Sequence, residues 1–136
     1  MKVRCVSEYL SPEQIDSLGK GFHQKQTFGI TKAKEYLSYG IVFFMSSGVY
    51  GTGVYVNVIE DAGHLIHVPL CLFEITDARA STYWEVRLLQ GSSVALWPKS
   101  FHAEYYFDDL FEGVPGVVAD FKIVRNMMES EAFQGS

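Results

Sequence analysis

The spacing of apolar residues changes near residue 100, and that change limits the chain to folds that place a sheet first and helices after it. Before it, residues 49–59 alternate, with Tyr50, Thr52, Val54, Val56 and Val58 pointing one way and Gly51, Gly53, Tyr55, Asn57 and Ile59 the other. After it, Phe107, Leu110 and Phe111 follow helical spacing, Gly113 is placed to end that helix, and Pro115 can open another. In the second helix Val117, Phe121, Val124, Met128 and Ala132 recur at three-to-four-residue steps, with Asp120 and Arg125 outward. A strand over residues 117–124 is the alternative reading of that segment.

Within the first hundred residues, six segments read as strands: 2–9, 35–45, 49–59, 65–75, 83–90 and 94–97. Residues 67–75 are almost wholly apolar, while Trp84, Val86 and Leu88 alternate with Tyr83, Glu85 and Arg87. With a polar bend of Asp77, Ala78, Arg79 and Ser81 between them, in which Arg79 and Asp77 are expected to form a turn-stabilising ion pair, these two arms are expected to pair as the centre of the sheet. Ser46, Ser47 and Gly48 turn one strand into the next, and Pro98 ends the strand that begins at Val94. Glycines at 51 and 53 leave one face bare, which permits tight coiling or the approach of another element. Ahead of the sheet, Ser11 can cap a short helix opened by Pro12, Gln14 completes a capping box, and Gly19 stops it. The fold class is therefore α+β: an antiparallel, partly closed SH3-like sheet of five to six strands, a short N-terminal helix and two C-terminal helices, in one domain over residues 1–136.

Composition narrows the function classes. Apolar residues at 48% and aromatics at 15% place the chain among folded proteins. The longest apolar run, Ile41, Val42, Phe43, Phe44 and Met45, is too short to span a bilayer, and the first eight residues contain no secretory apolar block. A cytoplasmic protein without membrane contact is expected. Net charge is -5, and residues 100–136 hold seven acidic residues against two basic ones. That balance argues against a nucleic-acid partner and for a basic protein partner. Lys20, Lys25, Lys32 and Lys34, interleaved with Phe22, His23 and Phe28, read as a solvated connection pinned by two phenylalanines. Cys5 and Cys71 are read as two reduced, buried thiols, since their separation matches no disulfide framework or zinc motif.

Candidate chemistry is sparse. His64 and His67 fall on opposite faces of a strand and chelate poorly, so no metal or other cofactor is expected. His102 and Glu104, followed by Tyr105 and Tyr106, contain the residue types of an acid–base site, with His23 or His67 as a further partner. Glu104, Asp108 and Glu112 stand four apart and would share one helix face, with Asp109 at its edge and Tyr105 beside them. Like charges at that spacing weaken a helix slightly, so their clustering suggests a surface kept for a partner.

Three segments, Thr31-Lys32-Ala33-Lys34-Glu35-Tyr36, Leu72-Phe73-Glu74-Ile75-Thr76-Asp77 and Tyr83-Trp84-Glu85, resemble small bacterial proteins with an SH3-like sheet. Several of those are similar to immunity proteins, which are encoded beside a toxin gene in contact-dependent inhibition and other polymorphic toxin systems and neutralise the toxin by binding it. The resemblance covers residues 31–89 and assigns no functional residue. It implies a non-enzymatic inhibitor that covers the active site of a cognate basic toxin, such as a nuclease; the acidic spacing, not the resemblance, points to Glu104, Tyr105, Asp108, Asp109 and Glu112 as the contact residues. The alternatives are a small hydrolase or nuclease using His102 and Glu104, and a self-associating structural protein pairing through the aromatic strand at residues 35–45.

Overall fold

A computed structural model describes residues 1–19 and 21–134, so Lys20 of the basic connection lies outside the described residues. Within them, eight strands form two antiparallel sheets, accompanied by three α-helices. One sheet sets β1 (Lys2–Cys5) between β2 (Glu35–Leu37) and β6 (Phe73–Asp77). The other runs in the order β5 (Leu65–Pro69), β4 (Gly51–Ile59), β3 (Gly40–Ser47), β8 (Val94–Pro98), β7 (Trp84–Leu88). The sheets are not closed. The expected α+β class and the three helices are present, and the strand count rises to eight because two expected strands are each broken in the middle.

The first break falls between β2 and β3. There the Ser38 hydroxyl donates to the Gly40 carbonyl (2.8 Å), Ser38 N–H donates to Met1 O (3.0 Å) and Tyr39 N–H to Asn57 O (2.7 Å), so the chain leaves one sheet and joins the other with these backbone groups satisfied. The second break corrects the expected central pair. Residues 67–75 and 83–90 do not pair: β6 lies on β1, with Cys5 opposite Phe73, and β7 lies on β8, with Val86 opposite Leu96. Pro69, opposite Tyr55, closes the β4–β5 ladder, and a 3₁₀ turn at Leu70–Leu72 redirects the chain to the small sheet. The continuous apolar run reflects burial in two different sheets, with Val68, Leu72 and Phe73 all in the core.

Strand β4 is buried on both faces, Tyr55, Val56, Asn57 and Val58 all being inaccessible. The helix α1 (Pro12–Leu18) begins with the expected capping box: Ser11 Oγ accepts from Gln14 N–H (3.2 Å), and Gln14 Oε1 accepts from Ser11 N–H (2.8 Å). Its Leu18 occupies the bare face at Gly53, where an added Cβ would fall 2.5 Å from Leu18 Cδ2. The helices α2 (Tyr106–Glu112) and α3 (Pro115–Gln134) replace the alternative strand, and Phe121, Val124 and Met128 are buried as the periodicity predicts. Asp120 departs from its expected outward place by accepting a hydrogen bond from the Tyr106 hydroxyl (2.9 Å). Phe22 and Phe28 do meet, with ring centroids 6.0 Å apart. Cys5 is buried but Cys71 is exposed, contrary to expectation, because the 3₁₀ turn rolls it away from the core that Leu72 enters. Among the described residues no helix is long and apolar enough to cross a membrane.

Candidate functional site

The acidic segment divides by use. Of the seven acids beyond residue 100, three are engaged within the protein. Asp120 takes the Tyr106 hydroxyl, Glu129 pairs with Arg125 (2.8 Å) and accepts from the Tyr39 hydroxyl (3.2 Å), and Glu131 accepts from Thr82 N–H (2.8 Å) and Thr82 Oγ1 (2.5 Å). The other four are Glu104, Asp108, Asp109 and Glu112. None of these forms an ion pair with a basic side chain among the described residues.

Their placement corrects the expected stripe in one respect. Glu104 lies ahead of α2, separated from it by Tyr105, so the four-residue spacing does not put it on the helix face. The physical reason is the turn that precedes the helix: Tyr105 adopts a left-handed backbone (φ 61°), a conformation that costs a non-glycine residue about 1 kcal/mol, and α2 starts only after it. Asp108 and Asp109 occupy the first turn, where the unpaired N–H groups of the helix favour negative charge. Tyr105, Asp108, Asp109, Phe111 and Glu112 together line one open hollow of about 370 Å³. Tyr105 is 65% exposed and Phe111 64%, so this hollow combines carboxylates with two apolar rings facing water. Phe111, which the sequence reading placed only by helical spacing, also rests against the His64 ring, with centroids 4.8 Å apart.

Beneath α2 lies an aromatic cluster that sequence reasoning missed. His67 is stacked on Tyr50 (5.1 Å) and on Phe44 (5.9 Å), and Phe107 of α2 meets it edge-on at 4.7 Å. Trp97 closes the group, 5.2 Å from Phe107, and donates its indole N–H to Asn57 Oδ1 (2.7 Å). Burial lowers the His67 pKa to about 4, and raises that of Tyr50 with a further push from Asp108. The only sequence signal for this cluster is alternation, which puts His67 and Asn57 opposite each other on the same face of β4 and β5.

The residues proposed for acid–base chemistry are not gathered. His102 packs on Trp97 (5.2 Å), and its Nε2 lies 3.3 Å from the Glu85 carbonyl; its Nδ1 is buried without a hydrogen-bond partner. Glu104 is exposed, His23 is exposed in the basic connection, and His67 is enclosed in the aromatic cluster. His64 pairs with Glu60 (3.2 Å) and not with His67. A hollow of about 660 Å³ is bounded by Leu18, Gly53, Val54, Leu70, Phe73 and Ile75, and among the described residues no charged side chain lines it.

The motif around residue 31 is structural. Asp61 accepts from Thr31 Oγ1 (2.5 Å), Lys34 Nζ (2.7 Å) and the Tyr36 hydroxyl (2.7 Å). Hydrogen bonds from Lys34, Thr31 and Tyr36 hold its carboxyl down to about 2, while burial, aided by Asp61, pushes Tyr36 up to about 12. The expected ion pair in the bend is also present, with Arg79 gripping Asp77 through Nε (2.9 Å) and a terminal nitrogen (2.6 Å). The site and fold thus define a small α+β protein with an unneutralised acidic and aromatic face. Comparison with known proteins finds no matching family model, curated protein or solved structure.

Proposed function

We propose that the protein is a non-enzymatic, cytoplasmic binding protein of the toxin-immunity type, whose acidic face covers the active site of a cognate basic toxin. The observation that carries this reading is the division of the acids: three are consumed by internal contacts, while Glu104, Asp108, Asp109 and Glu112 form no ion pair among the described residues, and the last three share a hollow with exposed Tyr105 and Phe111. Carboxylates left without basic neighbours speed the approach of a cationic groove and fix its register, and the rings supply the apolar contact that holds it. We read the scaffold as a partly closed SH3-like sheet. Supporting that reading are the strand that passes from one sheet to the other at Ser38 and Tyr39, the 3₁₀ turn between β5 and β6, and the return of β6 to β1.

The test is a complex with the product of the adjoining toxin reading frame. Wild-type protein is expected to bind it with an association rate that falls steeply with salt, and Glu104→Lys, Asp108→Lys and Glu112→Lys combined should weaken the complex by about a hundredfold, with far-UV dichroism showing that the variant remains folded. Equal affinity of the triple variant would remove this face from the interface, and an adjoining metabolic operon would favour the hydrolase reading over the inhibitor.

A further inference from the structure

Strand β7 is an edge of the larger sheet, with β8 on one side and, among the described residues, no strand on the other. Its five residues pair with β8 in unbroken register, from Trp84 opposite Pro98 to Leu88 opposite Val94. It carries no proline or bulge, two of the devices that blunt such an edge, and its charges are one acid and one base. In the same register, Leu89 N–H donates to Ser93 O (2.7 Å). Backbone groups alternate along an antiparallel strand, so Glu85, Arg87 and Leu89 address β8, while the amides and carbonyls of Val86 and Leu88 point away from the sheet. Their side chains are the most open of any apolar residues in the strands, Val86 at 68% and Leu88 at 79%. Each continues a row of apolar side chains across the sheet: Val86, Leu96 and Ile41 in one, and Leu88, Val94, Phe43 and Val54 in the other.

The charges on the opposite face say what fits this edge. Glu85 and Arg87 flank Val86 symmetrically, and they already touch within the strand at 3.3 Å. If a second β7 runs antiparallel with Val86 opposite Val86, then Glu85 faces Arg87 of the other copy at both ends, and Leu88 faces Trp84. A two-residue slip of the register sets Glu85 against Glu85 or Arg87 against Arg87, and a one-residue slip sets charges against apolar side chains. We propose that two copies of this chain join β7 to β7, antiparallel about a two-fold axis at Val86, to make one ten-stranded sheet. This surface is separate from the acidic α2 face and its occupant is a second copy, so a dimer and a toxin complex stand or fall independently. Within residues 35–45, β3 is paired on both sides by β4 and β8, while β2 is an edge of the smaller sheet.

The test is sedimentation of the full chain from about 1 µM to about 1 mM, a range that captures weak symmetric dimers. The wild type is expected to pass from monomer to dimer within it. Glu85→Arg places like charges opposite at both ends and should weaken the dimer at least about tenfold, as should Arg87→Glu; the double variant, which exchanges the two charges, should restore it. Val86→Pro removes an outward amide and should abolish it. Far-UV dichroism of each variant checks that the fold survives, and the restoration by the double variant separates lost pairing from lost folding. A wild type that stays monomeric throughout, or a dimer indifferent to the single reversals, overturns the proposal.

Discussion

His67 gives the protein an acid-sensitive core, and the size of the effect follows from its surroundings. Four rings, Tyr50, Phe44, Phe107 and Trp97, surround the imidazole and offer it no anion, so burial alone lowers its pKa from the usual 6.5 to about 4. Between those two values the unfolded chain holds a proton on this ring that the folded chain does not. The His67 contribution to stability is therefore full above about pH 6.5, falls as pH drops through the window, and levels off below about pH 4. At about 1.4 kcal/mol per tenfold change, the loss has a ceiling of roughly 3 kcal/mol, and by pH 4.5 most of it has occurred. In urea, where a domain of this size loses about 1–3 kcal/mol per molar, the unfolding midpoint should fall by about 1–2 M between pH 7.5 and pH 4.5. His67→Phe keeps a ring in the cluster without the titrating nitrogen. Its stability at pH 7.5 should lie within about 1.5 kcal/mol of the parent, and its midpoint should fall far less on acidification. His102, whose pKa burial also lowers, contributes to the slope in both proteins, so the two slopes are compared and not the midpoints alone. Parallel slopes for parent and variant would refute the reasoning.

Two further perturbations test the core and the first helix. In Gly40→Ala the new Cβ would lie 2.3 Å from Trp97 Cδ1 and 2.9 Å from Asn57 Oδ1, directly against the buried Trp97–Asn57 hydrogen bond; a loss of about 1–3 kcal/mol is expected in chemical denaturation, with a shift in tryptophan emission. Ser11→Ala removes the oxygen that accepts from Gln14 N–H and should cost about 1 kcal/mol in the same assay.

What was legible in the sequence was whatever depends on neighbours in the chain. The capping box at Ser11, the stop at Gly113, the buried stripe of α3 and the ion pair between Asp77 and Arg79 are all local, and each is where its spacing placed it. Strand partners are set by distant residues, and there the reading failed. An unbroken apolar run at residues 67–75 looks the same whether one sheet or two bury it, and only the 3₁₀ turn after Pro69 decides between them. At the candidate site, the helix that carries Asp108, Asp109 and Glu112 was readable, but Glu104 was carried with them because spacing alone cannot reveal the left-handed turn at Tyr105. The His67 cluster escaped because its rings come from five separate elements or turns and meet only in the folded chain.

Tyr39, at the crossing between the sheets, gathers partners from remote parts of the chain. Its carbonyl accepts from the Trp84 indole, 45 positions away, its hydroxyl donates to Glu129, 90 positions away, and its ring packs on Phe121 at 5.7 Å. The β3–β4 hairpin, which forms on the microsecond scale, already holds the Tyr39 N–H through Asn57 O, but the carbonyl, hydroxyl and ring of Tyr39 gain their partners only when both later segments arrive. Tyr39 thus ties closure of two long loops, of 45 and 90 positions, to one residue at the crossing between the sheets.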